Sequence, residues 1–302
     1  MNKEKIIAYL KNPMRAFVKL GSMGLFNWMS DETYLKIAYR SLMGKKLDLK
    51  NPKTFNEKLQ WLKLYDRKPI YTTMVDKYEA KKYVASIIGE QYIIPTLGVW
   101  DKFEDIDFDK LPNQFVLKCT HDSGGLVICR DKSKFDIQAA REKINKSLKR
   151  NYFWQGREWP YKNVKPRIIA EKYMEDSQTK DLKDYKFMCF NGKVNCSFVC
   201  TERHTNTGLK VTFYDRNWKI MPFERHYPRS KTPISKPLNY DKMMELAEIL
   251  SKDISFIRVD FYSVQEKIYF GELTFYPGSG FEEFSPFIWD KKIGDWIKLP
   301  IK

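Results

Sequence analysis

Residues 256–261 (FIRVDF) and 268–274 (IYFGELT) each alternate bulky apolar with polar side chains, so each reads as a strand. The polar stretch 264–267 between them is short, as a hairpin loop should be. Side chains repeat every two residues along a strand. Arg258 and Asp260 therefore share one face of the first strand, and Glu272 and Thr274 one face of the second. If the register aligns those faces, one surface gathers a cation, two carboxylates and a hydroxyl. Two readings of that surface stand. Carboxylates are hard ligands suited to Mg²⁺, and an adjacent arginine suits the phosphates that Mg²⁺ carries. A half-exposed hairpin with an ordinary salt bridge explains the same residues.

Residues 1–66 read as helical and basic, with Ile6, Ile7, Leu10, Met14, Phe17, Val18 and Leu20 at helical spacing among lysines and arginines. Such a helix either lies on an anionic bilayer or packs on the body of the protein. Residues 55–64 carry a second helical pattern, and 74–88 an amphipathic one that Gly89 should stop. A strand is expected at 93–99 and a surface loop at the acidic stretch 104–109. The period then changes to two. Segments 115–119 and 126–129 flank a glycine turn at 121–125, a helix follows over 136–150, and 166–174 is a strand. Strands dominate beyond Asp184, at 185–190, 194–201 and 209–214, with a helix over 240–252 before the hairpin. No internal repeat or low-complexity tract is present, and the pattern predicts α+β layers.

The chain has 302 residues, enough for a substantial core and several subdomains. It contains no run of about 18 apolar residues, so no membrane-spanning helix is expected. The first residues lack a cleavage signal, and the sequence predicts no export. The five cysteines, Cys119, Cys129, Cys189, Cys196 and Cys200, sit in apolar runs without metal-ligand spacing. They read as reduced core residues of a cytoplasmic protein. With only His121, His204 and His226, a histidine-rich metal site and a Ser-His-Asp triad are both disfavoured. Lysine and arginine exceed acidic residues by 54 to 38, a net charge of +16. That excess favours polyanions: nucleic acid, an anionic membrane surface, acidic sugar polymers or nucleotides. The zinc-finger, helix-turn-helix and RNA-binding signatures are all missing, so nucleic acid is the least favoured partner.

A glycine turn between strands leaves backbone N–H groups able to face an anion. Lys118, just before the turn, with Ser123, Gly124 and Gly125, could hold nucleotide phosphates. A plain hairpin whose glycines supply positive φ is the other reading. Order along the chain adds weight. A lysine before a glycine loop, a strand ending Glu-Lys, then Arg-x-Asp and Glu-x-Thr before Pro-Gly resembles the ATP-grasp superfamily over residues 73–285. The wider set FNEK (55–58), LPNQFVLK (111–118), DYKF (184–187), FYD (213–215) and GELTF (271–275) resembles the TupA-like ATP-grasp family, which is associated with bacterial surface polysaccharides and polymer-linked peptides.

The resemblance implies an ATP-grasp fold of two α+β subdomains gripping a nucleotide. A helical basic region (1–66) and a pre-ATP-grasp segment (67–112) would precede a small subdomain (113–179) and a large one (180–302) that holds the metal site. It implies that Lys77 and Lys118 contact phosphates and that the turn Ser123, Gly124, Gly125 closes over them. Glu171 and Lys172 match the adenine-edge strand, where Tyr173 would offer a backbone group. Arg258 would contact the transferred phosphate, acting catalytically with Lys118, and Asp260 and Glu272 would hold Mg²⁺. Thr274 stands where the related ligases carry asparagine. Tyr214, Asp215 and Lys219 resemble a further ligase motif.

ATP and Mg²⁺ are thus the implied cofactors of a carboxylate–amine ligase, in which a substrate carboxylate takes the γ-phosphate and an amine captures the acyl phosphate. Charge stabilisation by metal, lysine and arginine suffices, so no histidine or cysteine nucleophile is needed. The expected partners are an acidic saccharide or polymer precursor and an amine or amino acid, with a membrane-surface contact through the basic N-terminus. Two alternatives compete. A glycosyltransferase would use the Asp-x-Asp pairs of Asp105, Asp107 and Asp109, and a nucleotide-binding scaffold would carry decayed chemistry at Thr274. His121 as a base and Glu282 or Glu283 as ligands are further candidates, each with a plain structural alternative.

Overall fold

The structure, a computed structural model, describes residues 13–175, 183–202 and 208–301. Ile6, Ile7, Leu10 and His204 lie outside the described residues. Helix α1 (Pro13–Ser22) packs on the body: Phe17 stacks on Phe26 at 4.4 Å and meets Tyr34 of α2 (Asp31–Met43) at 5.4 Å. Helix α3 (Phe55–Tyr65) starts at a capping box, in which the side chains of Thr54 and Glu57 satisfy each other's backbone donors.

The pattern over 74–88 is not one helix. Helix α4 (Ile70–Val75) ends before Asp76, and α5 (Glu79–Ile88) starts afresh. Asp76 Oδ1 accepts from the N–H groups of Tyr78 and Glu79 at 2.9 and 3.3 Å, as an N-terminal cap does, while its other oxygen meets Arg167 at 2.7 Å. In the break, the Lys77 N–H donates to the Thr120 carbonyl at 3.0 Å. Apolar spacing survives the interruption, so periodicity alone reads through it.

The smaller sheet has the order β1-β4-β2-β3, all antiparallel. Its edge strand β1 (Thr96–Trp100) comes from the 67–112 segment, starting just after Pro95, and pairs with β4. Strands β2 (Phe115–Cys119) and β3 (Leu126–Cys129) flank the glycine turn. Helix α6 (Ile137–Leu148), capped by Asp136, covers the sheet, and the short α7 (Phe153–Gly156) leads back towards β4 (Ile168–Lys172). Phe115, Leu117, Ile144, Ile168 and Ala170 form the core of this layer.

The larger sheet is also antiparallel, with the order β10-β9-β5-β6-β7. Its first strands are β5 (Asp184–Phe190), β6 (Lys193–Thr201) and β7 (Lys210–Asp215). A two-residue strand β8 (Glu224–Arg225) and helix α8 (Tyr240–Leu250) precede β9 (Phe256–Val264) and β10 (Lys267–Thr274). The hairpin turn is only Gln265 and Glu266, both at positive φ (48° and 63°), so the loop is shorter than the sequence suggests. Strand β11 (Phe284–Ser285) pairs with β8, and α9 (Ile288–Gly294) packs on α3. Helices α2 to α5 share one core with the larger sheet, and the smaller sheet has its own. A cavity of about 660 Å³ is lined from both.

Candidate active site

On the larger sheet the register aligns the two predicted faces. Glu272 lies opposite Asp260 and Thr274 opposite Arg258, while β5 sets Lys186 opposite Asp260. A bulge at Gly271 brings β10 close to β9, where a Cβ would stand 3.1 Å from the Asp260 carbonyl. Arg258 forks onto Asp260, Nε to Oδ1 at 2.6 Å and Nη2 to Oδ2 at 2.7 Å, and Nη2 also reaches Glu272 at 2.5 Å. Lys186 donates to Asp260 and meets Asp184 at 2.5 Å. The Thr274 hydroxyl donates to Glu272 Oε1 at 3.1 Å.

Asp260 is 1% exposed, and burial pushes its carboxyl up to about 6 against the opposing pull of Arg258 and Lys186. Glu272 lines the cavity with 48% of its side chain open to solvent, and desolvation there alone would raise its carboxyl. Arg258, Lys186 and Lys77 hold it down at about 2.

The smaller sheet faces this group with lysines. Lys118 meets Glu171 at 2.5 Å, and Lys81 meets the other oxygen of the same carboxylate at 2.6 Å. Burial would raise Glu171, but the two lysines outweigh it and hold the carboxyl at about 2. Lys77, delivered by the break between α4 and α5, donates to the Asp122 carbonyl.

The glycine turn differs from both sequence readings. Gly124 and Gly125 are not at positive φ, and their N–H groups are held by Asp122 Oδ1 at 3.3 and 3.0 Å. The turn thus carries its own carboxylate where an anion was expected. Gly125 is dictated by packing, since a Cβ there would stand 2.6 Å from both Cys119 Sγ and Ser147 Oγ.

Of the residues singled out by sequence, Lys77, Lys118, Ser123, Gly124, Gly125, Arg258, Asp260, Glu272 and Thr274 all line the one cavity. Glu171, Lys172 and Tyr173 do not. Glu171 is spent on two lysines, the Lys172 N–H donates to the Pro95 carbonyl at 3.0 Å, and the Tyr173 hydroxyl bonds Glu175 at 3.0 Å. Tyr214, Asp215 and Lys219 also lie off the cavity wall, at a turn where the Lys219 N–H donates to Asp215 at 2.8 Å. Asp107 pairs with Lys110 at 3.1 Å on the surface. His121 is buried against the Ser147 and Arg150 carbonyls, and burial lowers its pKa. Glu282 meets Arg225 at 2.9 Å, and Glu283 is exposed.

Asp184, Lys186, Asp122, Tyr152 and Glu158 also line the cavity and were not singled out. The first two were legible, because Asp184 and Lys186 share a face of β5 and belong to the DYKF segment.

Two carboxylates and a hydroxyl converging beside basic side chains fit a hard divalent ion that brings phosphates with it. Among the described residues no cluster of three or more histidine, cysteine or acidic side chains forms a metal cage. Phosphate and water oxygens would therefore have to complete the shell around Asp260 and Glu272. Lys77, Lys118, Lys186 and Arg258 supply the complementary charge for a polyphosphate.

The profile of the family described as TupA-like ATPgrasp matches residues 57–298. Among solved structures, D-alanine–D-alanine ligase from Bacillus anthracis complexed with ATP is similar at 18% identity, over 74% of this chain and 63% of that one, with a TM-score of 0.41. The ADP complex of N5-carboxyaminoimidazole ribonucleotide synthetase is 16% identical, over 72% and 50%, at 0.42. The ATP-grasp ligase PsnB complexed with a phosphomimetic variant of its minimal precursor, Mg and ADP is 10% identical, over 84% and 65%, at 0.41. The chain spans at most 65% of the length of these three. No curated protein matches the sequence significantly.

Proposed function

The chain belongs to the TupA-like ATP-grasp family, and from that premise we propose that it is an ATP- and Mg²⁺-dependent carboxylate–amine ligase. The observation that carries this reading is the convergence of Asp260, Glu272, Arg258 and Lys186 with Lys77 and Lys118 in one cavity. Mg²⁺, when bound, supplies Lewis-acid charge at the phosphates. Asp260 and Glu272 would hold it, with Thr274 orienting Glu272. Lys77 and Lys118 hold the nucleotide phosphates, and Glu171 fixes the direction of Lys118. Arg258 and Lys186 move from the carboxylates onto the transferred phosphoryl group, where charge is greatest in the transition state. The substrate carboxylate thereby becomes an acyl phosphate, and an amine completes the amide.

The carboxylate substrate we assign is an acidic sugar or polymer precursor of the cell surface, on the strength of the +16 charge and the family. The same proposal seats the protein on an anionic membrane surface. No helix among the described residues is long and apolar enough to cross a membrane. Trp28, Met23 and Leu25 follow α1 at 80%, 67% and 58% exposure, next to the basic N-terminal segment.

The test is a nucleotide ranking. ATP with Mg²⁺ should raise the melting temperature and release ADP when uronic acids and amines are added, while UDP-sugars should do neither. The reverse ranking would favour glycosyl transfer.

A further inference from the structure

Glu158 enters the cavity after α7 and is 5% exposed. Among the described residues no cation lies within 4.0 Å of its carboxylate. Most other carboxylates of the cavity have a cation in contact, Asp184 and Asp260 with Lys186, Glu272 with Arg258, and Glu282 with Arg225, while Asp122 is held by the Ser147 hydroxyl and the N–H groups of Gly124 and Gly125. The charge that bears most on Glu158 is Lys63. That ammonium makes its hydrogen bonds to neutral acceptors, Gln60 Oε1 at 3.0 Å, the Gly156 carbonyl at 2.7 Å, and the Ser279 carbonyl and hydroxyl at 2.8 and 3.0 Å. It therefore balances Glu158 from a distance, with Ser279 acting on both, and leaves the carboxylate without a cation in direct contact. A buried carboxylate with no cation in direct contact is unfavourable. A fold tolerates that where a ligand supplies the charge.

The surroundings suit such a ligand. Tyr152 and Tyr161 pack edge to face with centroids 4.8 Å apart, and both lie within the field of Glu158 and of Glu272. Tyr152 lines the same cavity as Ser123 of the glycine turn, and Tyr161 also feels Arg258. This corner therefore adjoins the phosphoryl-transfer group. Tyrosine faces attract cations.

We propose that Glu158, with Tyr152 and Tyr161, seats the ammonium group of an aliphatic amine co-substrate. The assignment rests on the ligase reading and makes the second substrate cationic. As the amine nitrogen attacks the acyl carbon, the C–N bond forms and the C–O bond to phosphate breaks, its electron pair leaving with phosphate. Of the two protons the ammonium loses, one goes to Glu158 and one to the departing phosphate. Burial raises the Glu158 carboxyl against the pull of Lys63, which suits it to accept a proton.

Calorimetric titration of the protein loaded with Mg²⁺ and a non-hydrolysable ATP analogue tests the seat, using methylamine, ethanolamine, cadaverine and L-lysine as probes. At least one should bind saturably, and Glu158→Gln should weaken it tenfold or more while analogue binding stays unchanged. Tyr152→Leu, which leaves the buried carboxylate in place, should weaken the same probe severalfold. If no probe binds, or if it binds Glu158→Gln equally well, the amine seat is overturned. Failure of the wild type to bind the analogue with Mg²⁺ would instead overturn the ligase reading beneath it.

Discussion

At the scale of single residues, Asp260 and Glu272 differ from the surface carboxylates in having several cations each. Asp260→Ala or Glu272→Ala should cut ADP formation by about a hundredfold or more, as loss of one preorganised electrostatic group does. Asp107→Ala should leave it nearly intact, because Asp107 lies outside the cavity, where it pairs with Lys110 and caps the Asp109 N–H. Activity assays of the three variants decide. Thr274 offers a short neutral hydroxyl already turned to Glu272, so we expect Thr274→Asn to lower the Mg²⁺ concentration for half-maximal turnover and Thr274→Ala to raise it. Superimposable magnesium titrations would remove Thr274 from the site. Glu171 makes a prediction about stability. Its carboxyl sits at about 2 in the fold against an ordinary 4.5, so its contribution is complete above pH 4.5 and is lost as pH falls towards 2. Glu171→Gln should cost on the order of 3 kcal/mol at pH 7, with the gap closing across that window in acid-unfolding curves.

At the scale of elements, the β2–β3 turn shows where packing, not backbone freedom, selects glycine. Gly125→Ala should destabilise by about 1–3 kcal/mol and weaken ATP binding, since the turn must move off Cys119 and Ser147. Gly124→Ala should be tolerated, its nearest neighbour being Asp122 Oδ2 at 4.0 Å. Thermal melts with and without ATP check both. The same elements show what sequence conveys. Alternation in β2 and β10 follows burial on one face, and in the largely buried β5 and β9 the polar residues that face the cavity keep the period of two, so strands and their shared faces were legible, Arg258 with Asp260 included. The break at Asp76 was not, because its cause is a side chain capping a second helix and pairing with Arg167, a residue 91 positions away. The pairing of Glu171 was not legible for a similar reason: strand position marks it for a nucleotide edge, whereas its contact with Lys81 depends on tertiary placement. Glu158 carried no signal at all, since a lone glutamate after a short helix becomes remarkable only once its surroundings are known.

At the scale of the whole molecule, charge and shape have separate consequences. The +16 balance and the exposed Met23, Leu25 and Trp28 should bring the protein down with phosphatidylglycerol vesicles, less so at high salt. Trp28→Ala should weaken sedimentation, and equal binding to neutral phosphatidylcholine vesicles would exclude the electrostatic part. The pairing of Arg258 and Lys186 with Asp260 and Glu272 has an effect beyond geometry. Metal alone must compete with two fixed cations for its oxygens, and polyphosphate alone must draw those cations away from carboxylates. Arriving together, each relieves the obstacle met by the other. Metal and nucleotide are therefore linked thermodynamically, each raising the affinity of the other by the same factor, so that neither accumulates on the protein without its counterpart.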